Sequence, residues 1–134
     1  MKAWLTYIKE RFPLPVYALL SAGLACASGD GPRTWFGFLY AMWLFATLRL
    51  MDELKDYHKD KIAHPERPLP RGLLKAERVS TVINALMVFG IGLSFGFAAL
   101  SRVAMTLAVV TTLWLWLMYK EFYVGESLQR RPLL

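Results

Sequence analysis

Charge is missing from most of this chain. Residues 12–29, 34–48, 79–101 and 103–119 contain no Asp, Glu, Lys or Arg, in runs of 18, 15, 23 and 17 residues, and the second reaches Met51 if Arg49 sits at an interface. A membrane helix needs about 20 largely apolar residues to cross a hydrocarbon core of about 30 Å. The fold class read from these gaps is therefore all-α and integral to a membrane. Four transmembrane helices are expected at about 12–29, 34–51, 75–100 and 103–124, with the charged segment 52–74 between the second and third. Cysteine is nearly absent too: Cys26 is the only one, which excludes an intrachain disulfide. It lies in the first run and reads as a small buried apolar residue. No acid interrupts any of the four runs, which argues against a cation-transport pathway, since such pathways place ionisable groups within the membrane.

What charge there is has a sidedness. The net charge is +6, and with four spans 14 of the 16 Lys and Arg residues lie on one side, leaving only Arg33 and Arg102 on the other. By the positive-inside rule the N-terminus and the 52–74 segment face the cytoplasm of a multi-pass protein in the cell (inner) membrane. A soluble nucleic-acid-binding protein would have no reason for this alternation, so nucleic acid is not an expected partner. Trp4, Tyr7, Trp35, Tyr119 and Tyr123 stand near span ends, where amphipathic rings favour the interface. Trp43, Trp114 and Trp116 lie deeper and read as packing residues. A basic start, an apolar run and Ala25-Cys26-Ala27 resemble a signal peptide, but Pro13 and Pro15 open the run and three spans follow, so the segment is read as a span.

Between residues 52 and 72 the sequence changes character: DELKDYHKDKIAHPERPLPRG. No turn signal separates the second span from this stretch, so one helix is expected to protrude past the apolar core until Pro65, Pro68 and Pro70 stop it. The third span is expected to open after Gly72, with Gly90, Gly92 and Gly96 forming a small-residue face for close packing. At about 100° per residue, the carboxylates of Asp52, Glu53, Asp56 and Asp60 fall within an arc of about 100°. Like charges four residues apart destabilise a helix by roughly 0.2–0.5 kcal/mol per pair, so something positive should sit on the stripe. Mg²⁺ is held by one or two carboxylates together with substrate phosphates, and guanidinium groups such as Arg67 and Arg71 suit phosphate oxygens. The competing reading is an ordinary solvated helix end neutralised by Lys55 and Lys59. His58 and His64 read as surface residues.

An apolar span, then D-E-x-x-D-x-x-x-D, then R-P-L-P-R-G opening the next span, resembles the UbiA superfamily of intramembrane prenyltransferases. The first aspartate-rich motif of that family reads N-D-x-x-D-x-x-x-D and is followed by R-P-L-P-x-G. Here Asp52 stands at the Asn position, Glu53 at the first Asp, Asp56 and Asp60 at the others, while Arg67-Pro68-Leu69-Pro70 and Gly72 match directly. The resemblance implies that Asp52, Glu53, Asp56 and Asp60 bind Mg²⁺, that Arg67, Arg71 and Lys59 bind the diphosphate of a prenyl donor, and that Tyr119 and Lys120 contribute to a pocket. The family's Y-x-x-x-K motif begins at Tyr119, with Tyr123 in place of its lysine. The implied function is Mg²⁺-dependent transfer of a prenyl group from a prenyl diphosphate to a lipophilic, commonly aromatic, acceptor in the membrane lipid. The match covers the first half of the family's bundle, so residues 1–134 are expected to form an incomplete UbiA-like domain, either a fragment or one part of a split or assembled enzyme whose partner is a second half-chain or another copy in a homo-oligomer. The alternative is a non-catalytic four-helix scaffold or partner subunit that keeps the family loop.

Overall fold

A computed structural model describes residues 2–27, 31–99 and 101–120, all within helices or their connections. The order is α1 (Lys2–Arg11), α2 (Leu14–Ala27), α3 (Pro32–Lys55), α4 (Tyr57–Ala63), α5 (Ala76–Gly96), a 3₁₀ turn (Phe97–Ala99) and α6 (Arg102–Tyr119). No strand occurs among the described residues. Among the described residues three helical stretches are long and apolar enough to cross a membrane: Thr34–Lys55, Ala76–Ala99 and Arg102–Tyr119. The apolar helix Leu14–Ala27 is shorter, and at 1.5 Å per residue its 14 residues cover about 21 Å. This is an all-α membrane protein.

The long helices pack in chain order. α3 lies between α2 and α5, and α5 packs on α6. Rings join α2 to α3, with Tyr17 stacked on Phe12 at 4.2 Å and tilted against Phe45 at 5.4 Å. Two of the three expected glycines admit an aromatic from α3. Gly90 receives Trp43 and Gly96 receives Phe36, whereas Gly92 faces open space. The Trp43 indole N–H donates to the Leu86 carbonyl at 2.6 Å, locking the ring over Gly90. Deeper in the spans, three helices share hydroxyls. The Tyr40 hydroxyl donates to the Ala108 carbonyl at 3.0 Å and lies 3.1 Å from Thr112 Oγ1, which is 3.3 Å from Ser94 Oγ. Water does not compete for these groups in hydrocarbon, so they fix helix register more firmly than exposed hydroxyls would.

The tightest core sits at the charged end of the bundle. Met51 on α3, Val79 and Ile83 on α5, Tyr119 on α6, Tyr7 on α1 and Leu69 of the connection are all buried. Elsewhere many large apolar side chains of α2, α5 and α6, such as Leu19, Phe89 and Leu107, face outward, as lipid-facing residues do. Cys26 is among the exposed residues rather than packed in a core, lining an apolar groove of about 300 Å³ with Trp35 and Phe38. Trp114 also points outward, unlike the packing role expected of it.

The expected unbroken helix through residue 63 is interrupted at Asp56, between α3 and α4. The Asp56 and Asp60 amides still donate to the Asp52 and Asp56 carbonyls at 3.0 and 2.7 Å, so the interruption is a local distortion of the ladder. Aspartate is a poor interior helix former, and carboxylates one turn apart repel. After His64 the segment Arg67–Leu74 forms a tight turn. The Gly72 amide donates to the Leu69 carbonyl at 3.0 Å and the Leu73 amide to the Pro68 carbonyl at 2.9 Å, with Gly72 at φ +79°. This bond pair is a Schellman motif with glycine in its left-handed position. The turn presses Pro68 and Leu69 into the core.

A Cβ at Gly72 would meet nothing within 4 Å, so a substitution there costs backbone strain alone. Gly72→Val should lower stability by about 1–2 kcal/mol, and Gly72→Asn by less, because Asn tolerates that region. Thermal unfolding of the detergent-solubilised protein tests the order; equal losses for both variants would contradict it.

Candidate functional site

Four elements converge on one polar pocket of about 170 Å³. Its lining is Arg11 from α1, Arg49, Asp52 and Glu53 from α3, Asp56 from the junction, Asp60 from α4 and Arg67 from the turn. The bundle thus brings all four sequence-predicted carboxylates to one pocket, facing three guanidinium groups.

The acids divide into two kinds. Glu53 is 2% exposed, and its Oε1 accepts from Arg11 Nε and Arg49 Nη2, each at 2.7 Å. Arg49 Nε also donates to the Arg11 carbonyl at 3.1 Å. Asp60 is likewise buried, and Arg67 Nη1 lies 2.6 Å from each of its oxygens. Hydrogen bonding to Asp60 raises the Arg67 pKa above its ordinary value, so the guanidinium stays charged. Asp52 is exposed and Asp56 partly so. No described residue donates a hydrogen bond or forms an ion pair with either of their carboxylates.

Arg71 and Lys59 do not line the pocket. Arg71 pairs with Glu10 at 2.9 Å and reaches the Glu66 carbonyl at 3.3 Å, while Lys59 is exposed on α4. Tyr119 is fully buried, with its hydroxyl 2.8 Å from Ser80 Oγ, and Lys120 is exposed at the end of α6. Neither reaches the acidic pocket, and Tyr123 lies outside the described residues. His58 and His64 are both exposed, in keeping with surface residues. Arg11 and Arg49 were not singled out from sequence. A signal existed for Arg49, which precedes Glu53 by four residues and so shares its helix face. Nothing local marks Arg11, whose partner is 42 residues away.

Among the described residues no three His, Cys, Asp or Glu side chains are grouped as a ready-made metal cage. Mg²⁺ is usually held by one or two carboxylates plus substrate phosphates, so a cage of three protein ligands is not a requirement for it. The two uncommitted aspartates, four residues apart beside three guanidinium groups, can divide that work between cation and anion.

The model of the UbiA prenyltransferase family matches residues 14–134. No curated protein and no solved structure matches the chain.

Proposed function

This chain belongs to the UbiA prenyltransferase family, and from that premise we propose that its acidic pocket holds the diphosphate of a prenyl donor at the cytoplasmic membrane surface for transfer of the prenyl group to a lipophilic acceptor. One observation carries the reading: four carboxylates and three arginines line the same small pocket, on the side where the helices leave the apolar region. Asp52 and Asp56 are the residues that would hold Mg²⁺, because Glu53 and Asp60 are already engaged by arginines. When bound there, the ion would supply electrostatic stabilisation of the charge on a diphosphate leaving group.

The rest of the work belongs to the chain. Arg67, Arg11 and Arg49 offer charged N–H donors to phosphate oxygens, and such bonds are roughly twice as strong as neutral ones. Donors fixed before reaction stabilise leaving-group charge without reorganising. The apolar spans accommodate the donor's hydrocarbon tail and keep water from the allylic carbon, so that the acceptor is the nucleophile that attacks it. Arg71 and Lys59, outside the lining, are assigned no direct contact. A second reading, a non-catalytic membrane partner that keeps the family loop, draws support from Glu53 and Asp60 being neutralised within the protein.

Prenyl transfer from radiolabelled prenyl diphosphates of several lengths to membrane aromatic acceptors, in membranes containing this protein, separates the two readings. Under the enzymatic reading product forms with Mg²⁺ and disappears with EDTA. Absence of product with every donor, together with no binding of Mg²⁺ and inorganic pyrophosphate, would favour the partner.

A further inference from the structure

We infer that Glu53 is a positioning residue: it clamps Arg11 and Arg49 for the donor diphosphate, docks α1 against the pocket, and leaves the metal to Asp52 and Asp56. The inference rests on the donor-site reading above for its ligand but on separate geometry for its claim. Oε1 of Glu53 already accepts from two guanidinium groups at 2.7 Å. A divalent cation at that oxygen would stand against two fixed positive charges. The triad of one carboxylate and two guanidinium groups carries one net positive charge, which suits an anion beside it.

The other oxygen, Oε2, is buried without a hydrogen-bond partner, and so is the Tyr7 hydroxyl. Tyr7 precedes Arg11 by four residues and therefore shares its face of α1. Burial raises the Tyr7 pKa, with the Glu53 charge the next largest influence and Arg49 and Arg11 opposing it, so these four groups are electrostatic neighbours. The phenol is a donor lacking an acceptor and Oε2 an acceptor lacking a donor. Buried polar groups are rarely left unpaired, and joining these two, directly or through one water, completes the set. Glu53 then has partners on two helices: Tyr7 and Arg11 of α1, and Arg49 of its own helix α3. The Arg49 bond to the Arg11 carbonyl closes the clamp from the backbone side. By contrast, Asp52 and Asp56 face the pocket with no such commitments.

Two variants of the protein, Glu53→Gln and Asp56→Asn, separate positioning from ligation. Mn²⁺ affinity is read by electron paramagnetic resonance, inorganic pyrophosphate affinity by calorimetry with Mn²⁺ present, and α1 docking by hydrogen exchange of residues 2–11. Glu53→Gln should keep Mn²⁺ affinity within about twofold, weaken pyrophosphate about tenfold or more, and speed α1 exchange about tenfold. Asp56→Asn should lose Mn²⁺ about tenfold or more and leave α1 exchange unchanged. Arg11→Gln, which keeps Glu53 paired with Arg49, should reproduce the Glu53→Gln pattern and serves if that variant does not fold. The inference is overturned if Glu53→Gln loses Mn²⁺ as severely as Asp56→Asn, or if α1 exchange does not change. Should the unaltered protein bind neither Mn²⁺ nor pyrophosphate, the donor-site reading fails, and α1 exchange alone then upholds or overturns the docking role.

Discussion

Asp56→Asn should reduce prenyl transfer by about 100-fold or more, on the scale of removing one preorganised charge-stabilising group from an active site, while leaving the fold intact. Asp56 lines the pocket and has no protein partner among the described residues, so the substitution breaks no native interaction. It also removes a negative charge four residues from both Asp52 and Asp60, relieving a repulsion of roughly 0.2–0.5 kcal/mol per pair. Activity and metal-free stability should therefore move in opposite directions, the pattern of a group retained for function at some expense to folding. Asp60→Asn should behave differently. That carboxylate holds Arg67 within 2.6 Å, so its loss should lower stability as well as activity. Parallel transfer assays and thermal unfolding in EDTA test the contrast. If Asp56→Asn retains transfer within a few-fold of the parent, the metal-holding role assigned to Asp56 is wrong.

The second large effect lies inside the membrane. Gly90→Val should destabilise the bundle by about 1–3 kcal/mol or more, the usual cost of forcing extra methyl groups into a filled core. A Cβ at residue 90 would overlap the Trp43 indole. The ring cannot readily retreat: Trp43 is 4% exposed, and its N–H is held by the Leu86 carbonyl at 2.6 Å. Gly92→Val, two residues along the same helix, meets nothing within 4 Å and should cost little. The pair separates close packing from the general effect of a β-branched residue in a helix, which both variants share. Gly96→Val should fall between them, since the edge of the Phe36 ring lies 2.6 Å from where a Cβ would stand and can swing aside. Melting temperatures in detergent should rank the variants in that order, and equal losses at residues 90 and 92 would refute the packing argument.

The parts of this architecture with a period or a gap were legible in advance. Uncharged runs marked the apolar helices because a charged side chain is costly in hydrocarbon, and helices form there because backbone polarity must be satisfied within the segment. The acidic residues could be placed on one face because helical spacing is local. What could not be read was which charges meet. Arg11 reaches Glu53 only because Pro13 separates α1 from α2 and the Tyr7 ring anchors α1 in the core, a tertiary outcome with no local signature. Arg71 turns to Glu10, 61 residues away. Lys59 immediately precedes Asp60 and so is turned about 100° from it on α4. The distortion at Asp56 was likewise hidden, since it depends on whether a cation neutralises the stripe or each acid finds its own partner. In sequence the R-P-L-P-R-G segment reads as a phosphate-side loop. It is also a fold element, with Pro68 and Leu69 filling the core and Gly72 completing the Schellman turn.

The hydroxyl cluster of Tyr40, Ser94 and Thr112 has a consequence for the distant carboxylates. Tyr40 and Asp52 belong to one helix and are separated by about 18 Å along its axis. Sliding α3 by a single turn past its neighbours would strip both contacts of the Tyr40 hydroxyl, to the Ala108 carbonyl and to Thr112, at once. The height of the acidic rim relative to the apolar spans is thus pegged from below, by uncharged oxygens deep among the helices.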